Sequence, residues 1–498
     1  MGIIQKDALR TTLISYAGIG LGYLNKGILF LIILSTDQIG LVSILITVGT
    51  LFAYLAGFGT AFTTLKFLPY FKDESQKHFG FLSFIFRIVL LGIVLTTASF
   101  ILFRPWIENQ YIEKSAQFVE YYYWVVPIGI GYVYYLLFEA YLRSFFKNIL
   151  SVFAYEIILR LFVTLSLVLY AFKIINFDWF VKVNSLIYLI PPFILMCYLY
   201  KQGELNLHSR NIQISKRFKK LMVQFSLYNY LNAFGVTLVI SLDVMMIAQM
   251  VGLEATGVYS TVIFIASALL VPHRSLIRIS SPLVAEYWKQ RDMDAMNDLY
   301  KKSGSIFLLV GLASFIIIWL NIDLLFSFLK PEFQPGIWVF FALMMGRFFE
   351  MFFGLTGIIF TTSKMFKYDI YYTIVFVCLV YALNVQFIPK WGIVGAAIST
   401  AIAFAAYNLG RYFFIYKKYK LNPFEKNQFI IIALAVVCLL VGEFVGSLFD
   451  SLWIRAIVVT CIYLITFIFP IYYFKLEEQS INYFKNGIAF AKKKLKRS

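Results

Sequence analysis

Apolar stretches of bilayer-crossing length follow one another along almost the whole chain, separated by short polar connections. A membrane-spanning helix needs about 20 predominantly apolar residues. The pattern predicts fourteen such runs: 11–34, 39–63, 79–103, 121–142, 149–172, 184–200, 219–248, 255–284, 303–321, 336–362, 370–388, 393–416, 429–449 and 452–474. The fourth, rich in Tyr and Gly, and the sixth, which carries Pro191-Pro192, are the least uniform. Neighbouring helices tolerate such breaks because they re-satisfy the freed backbone groups. The predicted fold class is all-α, a polytopic membrane protein of about fourteen transmembrane helices.

The stretch from Leu221 to Pro282 restarts the pattern. Tyr23-Leu24-Asn25 is echoed by Tyr230-Leu231-Asn232. The turn from Thr36 to Ser43, with Gly40 at its fifth place, is echoed by the turn from Leu253 to Ser260, with Gly257 at its fifth. The aromatic-basic segment Pro69-Tyr-Phe-Lys72 has a counterpart in Glu286-Tyr-Trp-Lys289. Internal duplication of a helical bundle is a habit of transporters. The polar connection 201–220, with Arg210, Lys216, Arg217, Lys219 and Lys220, is the natural join between the copies. The expected layout is an N-terminal lobe over 1–205 and a C-terminal lobe over 206–420, two six-helix lobes related by a pseudo-twofold. Two extra helices over 421–475 and a basic cytosolic tail over 476–498 follow.

Composition agrees with this reading. The chain is 61% hydrophobic and only 14% charged, where soluble domains run nearer ~25% charged. Its net charge of +18 comes from basic residues scattered through short loops, which argues for a topology signal and against a nucleic-acid partner. An even number of spans puts both termini on one side. Loops on that side hold thirty of the forty-four Lys and Arg residues, and the opposite loops hold seven. The expectation is a multi-pass membrane protein with both termini in the cytoplasm. Cys197, Cys378, Cys438 and Cys461 all fall inside apolar runs and form no CxxC pair, so they read as small buried hydrophobes. The first run is too long for the core of a cleavable signal peptide and should stay inserted. No sequence pattern suggests a catalytic residue, a metal or a cofactor.

Charges within the spans carry the candidate chemistry, since each costs at least ~2.5–3.5 kcal/mol at helix-centre depth. Lys26 has no acidic residue three or four places away, and Arg87 lies eight or nine residues into the third run, within partial snorkelling reach. Arg274 and Arg278, one turn apart after Pro272, suit a phosphate because guanidinium binds it bidentately. Glu156 with Arg160, and Arg347 with Glu350, are spaced either to neutralise each other or to serve a substrate. Asp243 has no basic neighbour in sequence; it is a proton or cation carrier, a partner for Lys26 across the two halves, or a helix cap. Glu139 with Arg143, and Arg411, lie near cytosolic ends, where snorkelling is the expectation. Gly18 and Gly22 form a GxxxG pair suited to close helix packing.

Leu242-Asp243-Val-Met-Met-Ile-Ala followed by Gly252-Leu-Glu-Ala-Thr-Gly-Val-Tyr259 resembles the central segment of bacterial polysaccharide flippases of the multidrug/oligosaccharidyl-lipid/polysaccharide exporter superfamily. Ile388-Pro-Lys-Trp-Gly-Ile-Val-Gly-Ala-Ala397 looks like the small-residue motif of their eleventh-to-twelfth helix turn. Ser15-Tyr-Ala-Gly-Ile-Gly-Leu-Gly-Tyr and Gly57-Phe-Gly59 fit as well. The resemblance implies a V-shaped pair of lobes that moves undecaprenyl-pyrophosphate-linked oligosaccharide across the membrane by alternating access, for O-antigen or capsule assembly. It also implies membrane lipids, H+ or Na+ as coupling ion, and polysaccharide-assembly proteins as partners. It names no catalytic residue, so Lys26, Arg87, Arg160, Arg274, Arg278 and Arg347 are headgroup candidates on the charge argument alone. Asp243, Glu156 and Glu350 are candidates for coupling or interlobe pairing. The rivals are a cation-coupled multidrug exporter of the same superfamily and a polytopic glycan polymerase or ligase. The short outer loops argue against the enzyme.

Overall fold

The computed structural model describes residues 3–73, 77–145, 147–204, 216–268, 271–363, 366–474 and 476, and among these the fold is all-α. Among the described residues twelve helices are long and apolar enough to cross a membrane. One of these, Asp369–Tyr419, is two helices joined at a kink where Gly392 adopts φ 55°, a conformation glycine accepts without strain. We call its arms, 369–391 and 393–419, α11 and α12. The eighth run appears as the shorter apolar helix Leu253–Ala268 (α8), followed by Val271–Gln290 with Pro272 in its first turn.

The first run, α1, is helical over Ile3–Leu24, passes through one π-helical turn at Asn25–Leu29 and ends at Ile33. Then come α2 (Thr36–Gly57), α3 (Phe81–Leu102) and α4 (Val125–Ser144). Helix α5 runs from Ile149 to Ala171 with its own π-helical turn at Ala154–Ile158. The proline pair splits α6 into Phe177–Ile187 and Ile190–Lys201. Helix α7 is Lys216–Met250, α9 is Met293–Leu320, α10 is Gly336–Phe352, α13 is Lys426–Gly446, and α14 starts at Leu452. Both of the least uniform runs are thus helical. The basic tail, and most of the 201–220 connection, lie outside the described residues.

By contacts the chain falls into two compact units. One comprises Met1–Thr261 with Asn384–Ile393, and the other Val262–Leu383 with Val394–Ser498. In the first unit, α2 packs along α4, α7 and α3. It breaks at Phe58 (φ 45°) and Gly59 (φ 70°), and the Ser226 hydroxyl of α7 donates to the Phe58 carbonyl at that break, 2.8 Å away. The two echoed turns meet in this unit. A Cβ on Gly40 would lie 1.9 Å from the Leu253 carbonyl oxygen, and one on Gly257 would lie 1.9 Å from that of Thr36. The contact is reciprocal, as a local twofold requires, and only glycine lets the backbones approach so closely. In the second unit, α9 packs on α10, α13 and α14 through an apolar core around Ile316, Leu320, Ile431, Cys438 and Phe467.

Candidate functional site

The first polar cluster lies where the π-helical turns of α1 and α5 face the partner helix. A π turn inserts one residue and re-aims the side chains on either side of it, and such turns are frequent at functional sites. Asn25 is buried; its amide donates to the Arg160 carbonyl at 2.9 Å, and its oxygen accepts from the Thr164 hydroxyl at 2.7 Å. Arg160 pairs with Glu156 at 2.5 Å and also donates to the Gly18 carbonyl. The glycine pair explains the fit. A Cβ on Gly18 would strike Glu156, and one on Gly22 would sit 2.7 Å from the Arg160 guanidinium. GxxxG here seats an ion pair one turn against one turn.

Lys26 is exposed in the middle of this cluster. Among the described residues no carboxylate comes within ion-pair reach of it, and the charge acting on it is Arg160. Glu156 therefore pairs with one of two basic side chains. Arg87 is also exposed, on the stripe of α3 that presents Leu90, Leu91 and Val94 outward.

The second cluster surrounds Asp243, which is 3% exposed. The Tyr259 hydroxyl of α8 donates to one carboxylate oxygen at 2.6 Å, and the Asn384 amide of α11 donates to the other at 2.8 Å. Asn384 has a buried amide oxygen that accepts no hydrogen bond. Asp243 and Lys26 form no ion pair. The connection before α4 fixes the end of α7 beside this site. Tyr111 donates to the Met245 carbonyl, Ser115 to that of Ala248 at 2.6 Å, and Gln249 to Gln110. Burial pushes the Tyr111 phenol above its ordinary range, so it stays a neutral donor.

In the second unit Arg347 pairs with Glu350 at 2.8 Å and lies over the Phe404 ring. Arg411 departs from the snorkelling expectation. It is buried, donates to Asp369 of α11 through Nε at 2.9 Å, and stacks on Tyr407. The carboxylate lies forty-two positions away in sequence, beyond any local spacing rule. Glu139 and Arg143 pair at 3.2 Å. Arg274 and Arg278 belong to the helix Val271–Gln290, but their side chains lie outside the described residues. No group of three or more metal-ligating side chains occurs among the described residues.

Sequence reasoning located Lys26, Glu156, Arg160 and Asp243 but missed Asn25, Thr164, Tyr259 and Asn384. Each of these is a neutral polar residue in an apolar run, and only the fold reveals its partner. It also missed buried His78 near the start of α3, whose Nδ1 accepts from the Asp73 amide and whose Nε2 faces Glu204 at 3.1 Å.

No protein-family model matches the chain, and no curated protein matches it in sequence. Solved structures do resemble it. A lipid II flippase, MurJ, in an inward closed conformation aligns over 92% of this chain and 97% of its own, with 15% identity and a TM-score of 0.68. An inward-facing multidrug resistance MATE family transporter of the MOP superfamily aligns over 84% and 95%, with 12% identity and a TM-score of 0.57. A MOP superfamily transporter from Pyrococcus furiosus, described as having a binding pocket of reverse polarity, aligns over 84% and 96%, with 13% identity and a TM-score of 0.54. The chain has the fold of these transporters.

Proposed function

We propose that the protein is a flippase that moves a lipid-linked oligosaccharide, carried on undecaprenyl pyrophosphate, across the bacterial cytoplasmic membrane for surface polysaccharide assembly. It works by alternating access, with both termini in the cytoplasm and no bond made or broken. The observation that carries the reading is the surplus cation at Lys26, exposed at bilayer depth beside an arginine whose single carboxylate is already engaged. Such a charge is costly in hydrocarbon, and a pyrophosphate offsets that cost through charge-assisted hydrogen bonds. Arg274, Arg278 and Arg347, in the other compact unit, are candidate anion contacts on their charge alone. Asp243 is the coupling site. A buried carboxylate beside the donor-less oxygen of Asn384 suits H+ or Na+, and Glu156 and Glu350 serve as pairing groups.

A multidrug exporter of the same superfamily is the second reading, and buried Asp243 is the observation that favours it. Proteoliposomes separate the two. A fluorescent polyprenyl-pyrophosphate oligosaccharide should change leaflet with wild-type protein and about tenfold more slowly with Lys26→Ala, while lipophilic cations are not moved. Drug uptake without flipping would establish the exporter instead.

A further inference from the structure

Helices α4 and α6 touch backbone to backbone at one point: a Cβ on Gly131 would lie 2.2 Å from the Tyr188 carbonyl oxygen. Beyond that contact α6 breaks at Tyr188–Leu189 and restarts through Pro191-Pro192, whose missing amide hydrogens cannot continue the ladder. A groove of about 350 Å³ opens there between α3, α4 and α6. Its walls are apolar or aromatic: Phe86, Tyr134, Phe138, Leu189, Phe193 and Met196. Phe86 and Tyr134 stack at 5.0 Å, which makes one wall rigid.

Depth and charge indicate what fills it. The groove residues lie between five and twelve residues from the ends of α3, α4 and α6 that meet on one side, at Phe81, Ser144 and Lys201. At 1.5 Å per residue this is roughly 7–18 Å below those ends, the depth of the acyl chains of one leaflet in a core ~30 Å thick. Arg87 is exposed on α3 next to the groove residue Phe86, and Lys201 is exposed one turn beyond Met196. Lys201 meets no carboxylate among the described residues. Glu204, which follows it closely, is already engaged by His78 and by the Tyr141 hydroxyl. Lys201 therefore leaves a positive charge at the helix ends above the groove, whose lining is apolar.

We infer that this groove is a binding site for an anionic phospholipid, one acyl chain lying between α3, α4 and α6 and the phosphate held by Arg87 and Lys201. The site faces the bilayer and does not depend on what the protein transports. The test uses the full chain in nanodiscs containing phosphatidylglycerol with a diazirine in mid-chain, and photolabelled peptides are mapped. Label concentrated on 134–138 and 189–196 is expected, at least fivefold weaker when the probe is phosphatidylcholine, in the Arg87→Gln/Lys201→Gln double variant, and in Met196→Trp, which fills the groove. Label spread evenly over all outward-facing helices, or equal labelling by the two lipids, would overturn the inference. The lipid comparison uses wild-type protein, so poor folding of a variant cannot mask the answer.

Discussion

The Lys26 cluster and the Asp243 cluster share one compact unit, and they handle a charge at bilayer depth in opposite ways. Lys26 precedes the turn at Thr36 by ten residues and Asp243 precedes the turn at Leu253 by ten, although the Tyr23-Leu24-Asn25 echo pairs Lys26 with Ala233. The first cluster holds an exposed cation beside a second cation and one carboxylate. The second holds a buried acid bound by a tyrosine and an asparagine. On the proposed function, the exposed cation is the position for a large anion and the buried acid the position for something as small as a proton or a bare cation.

The largest effect is expected at Asp243. Asp243→Asn keeps the shape and the Tyr259 contact but removes the charge, so flipping should fall about a hundredfold while the protein still folds. That fall corresponds to roughly 2.7 kcal/mol at 1.36 kcal/mol per factor of ten. Asp243→Ala should also lose about 1–3 kcal/mol of stability, because buried Asn384 and Tyr259 lose their acceptor. If Asp243→Asn flips substrate at more than half the wild-type rate with unchanged ion dependence, the coupling half of the comparison is wrong.

Lys26 comes next and should separate function from stability. Lys26→Met removes an ammonium that costs ~2.5–3.5 kcal/mol to hold at this depth, so thermal stability should rise or stay level. Flipping should fall about tenfold, and Lys26→Arg should restore most of it. A Lys26→Met protein that is clearly destabilised would show the lysine to be structural. A smaller effect belongs to the pair behind it. A double-mutant cycle on Glu156→Gln and Arg160→Gln, read by thermal unfolding, should give a coupling of about 1–2 kcal/mol, within the range for residues in contact. A coupling near zero would leave Arg160 free to serve the substrate directly and would undo its pairing with Glu156.

The length of the apolar runs was enough to see the helices, because a continuous apolar segment of about 20 residues satisfies its own backbone in a bilayer as a helix. The charged residues of the Lys26 site were visible for a related reason: an ionisable side chain stands out against hydrocarbon. Pairing was legible only when local. Glu156 with Arg160 and Arg347 with Glu350 lie within one turn, so their spacing announced them. Arg411 with Asp369, and Asp243 with Asn384, join residues 42 and 141 positions apart, and nothing in a single sequence links such pairs. The neutral members, Asn25, Thr164 and Tyr259, were hidden because they perturb hydropathy so little.

The glycines of α1 offer the smallest and most discriminating change. At Gly22 an added methyl would sit 2.7 Å from the Arg160 guanidinium nitrogen, the far end of a flexible side chain that can move aside. At Gly40 the obstacle is the Leu253 carbonyl oxygen at 1.9 Å, and backbone cannot move aside without parting the two turns. Gly40→Ala should therefore fail to fold or lose several kcal/mol, beyond the usual range for a point change of ~0.5–3 kcal/mol. Gly22→Ala should cost under about 1 kcal/mol and slow flipping only about twofold, by shifting Arg160 away from Lys26 without altering its pairing with Glu156. Rate and melting temperature measured on the same preparation distinguish these outcomes. A Gly22→Ala protein that loses stability as Gly40→Ala does would mean that the glycines of α1 hold two backbones together, with the ion pair only a passenger in the space between them.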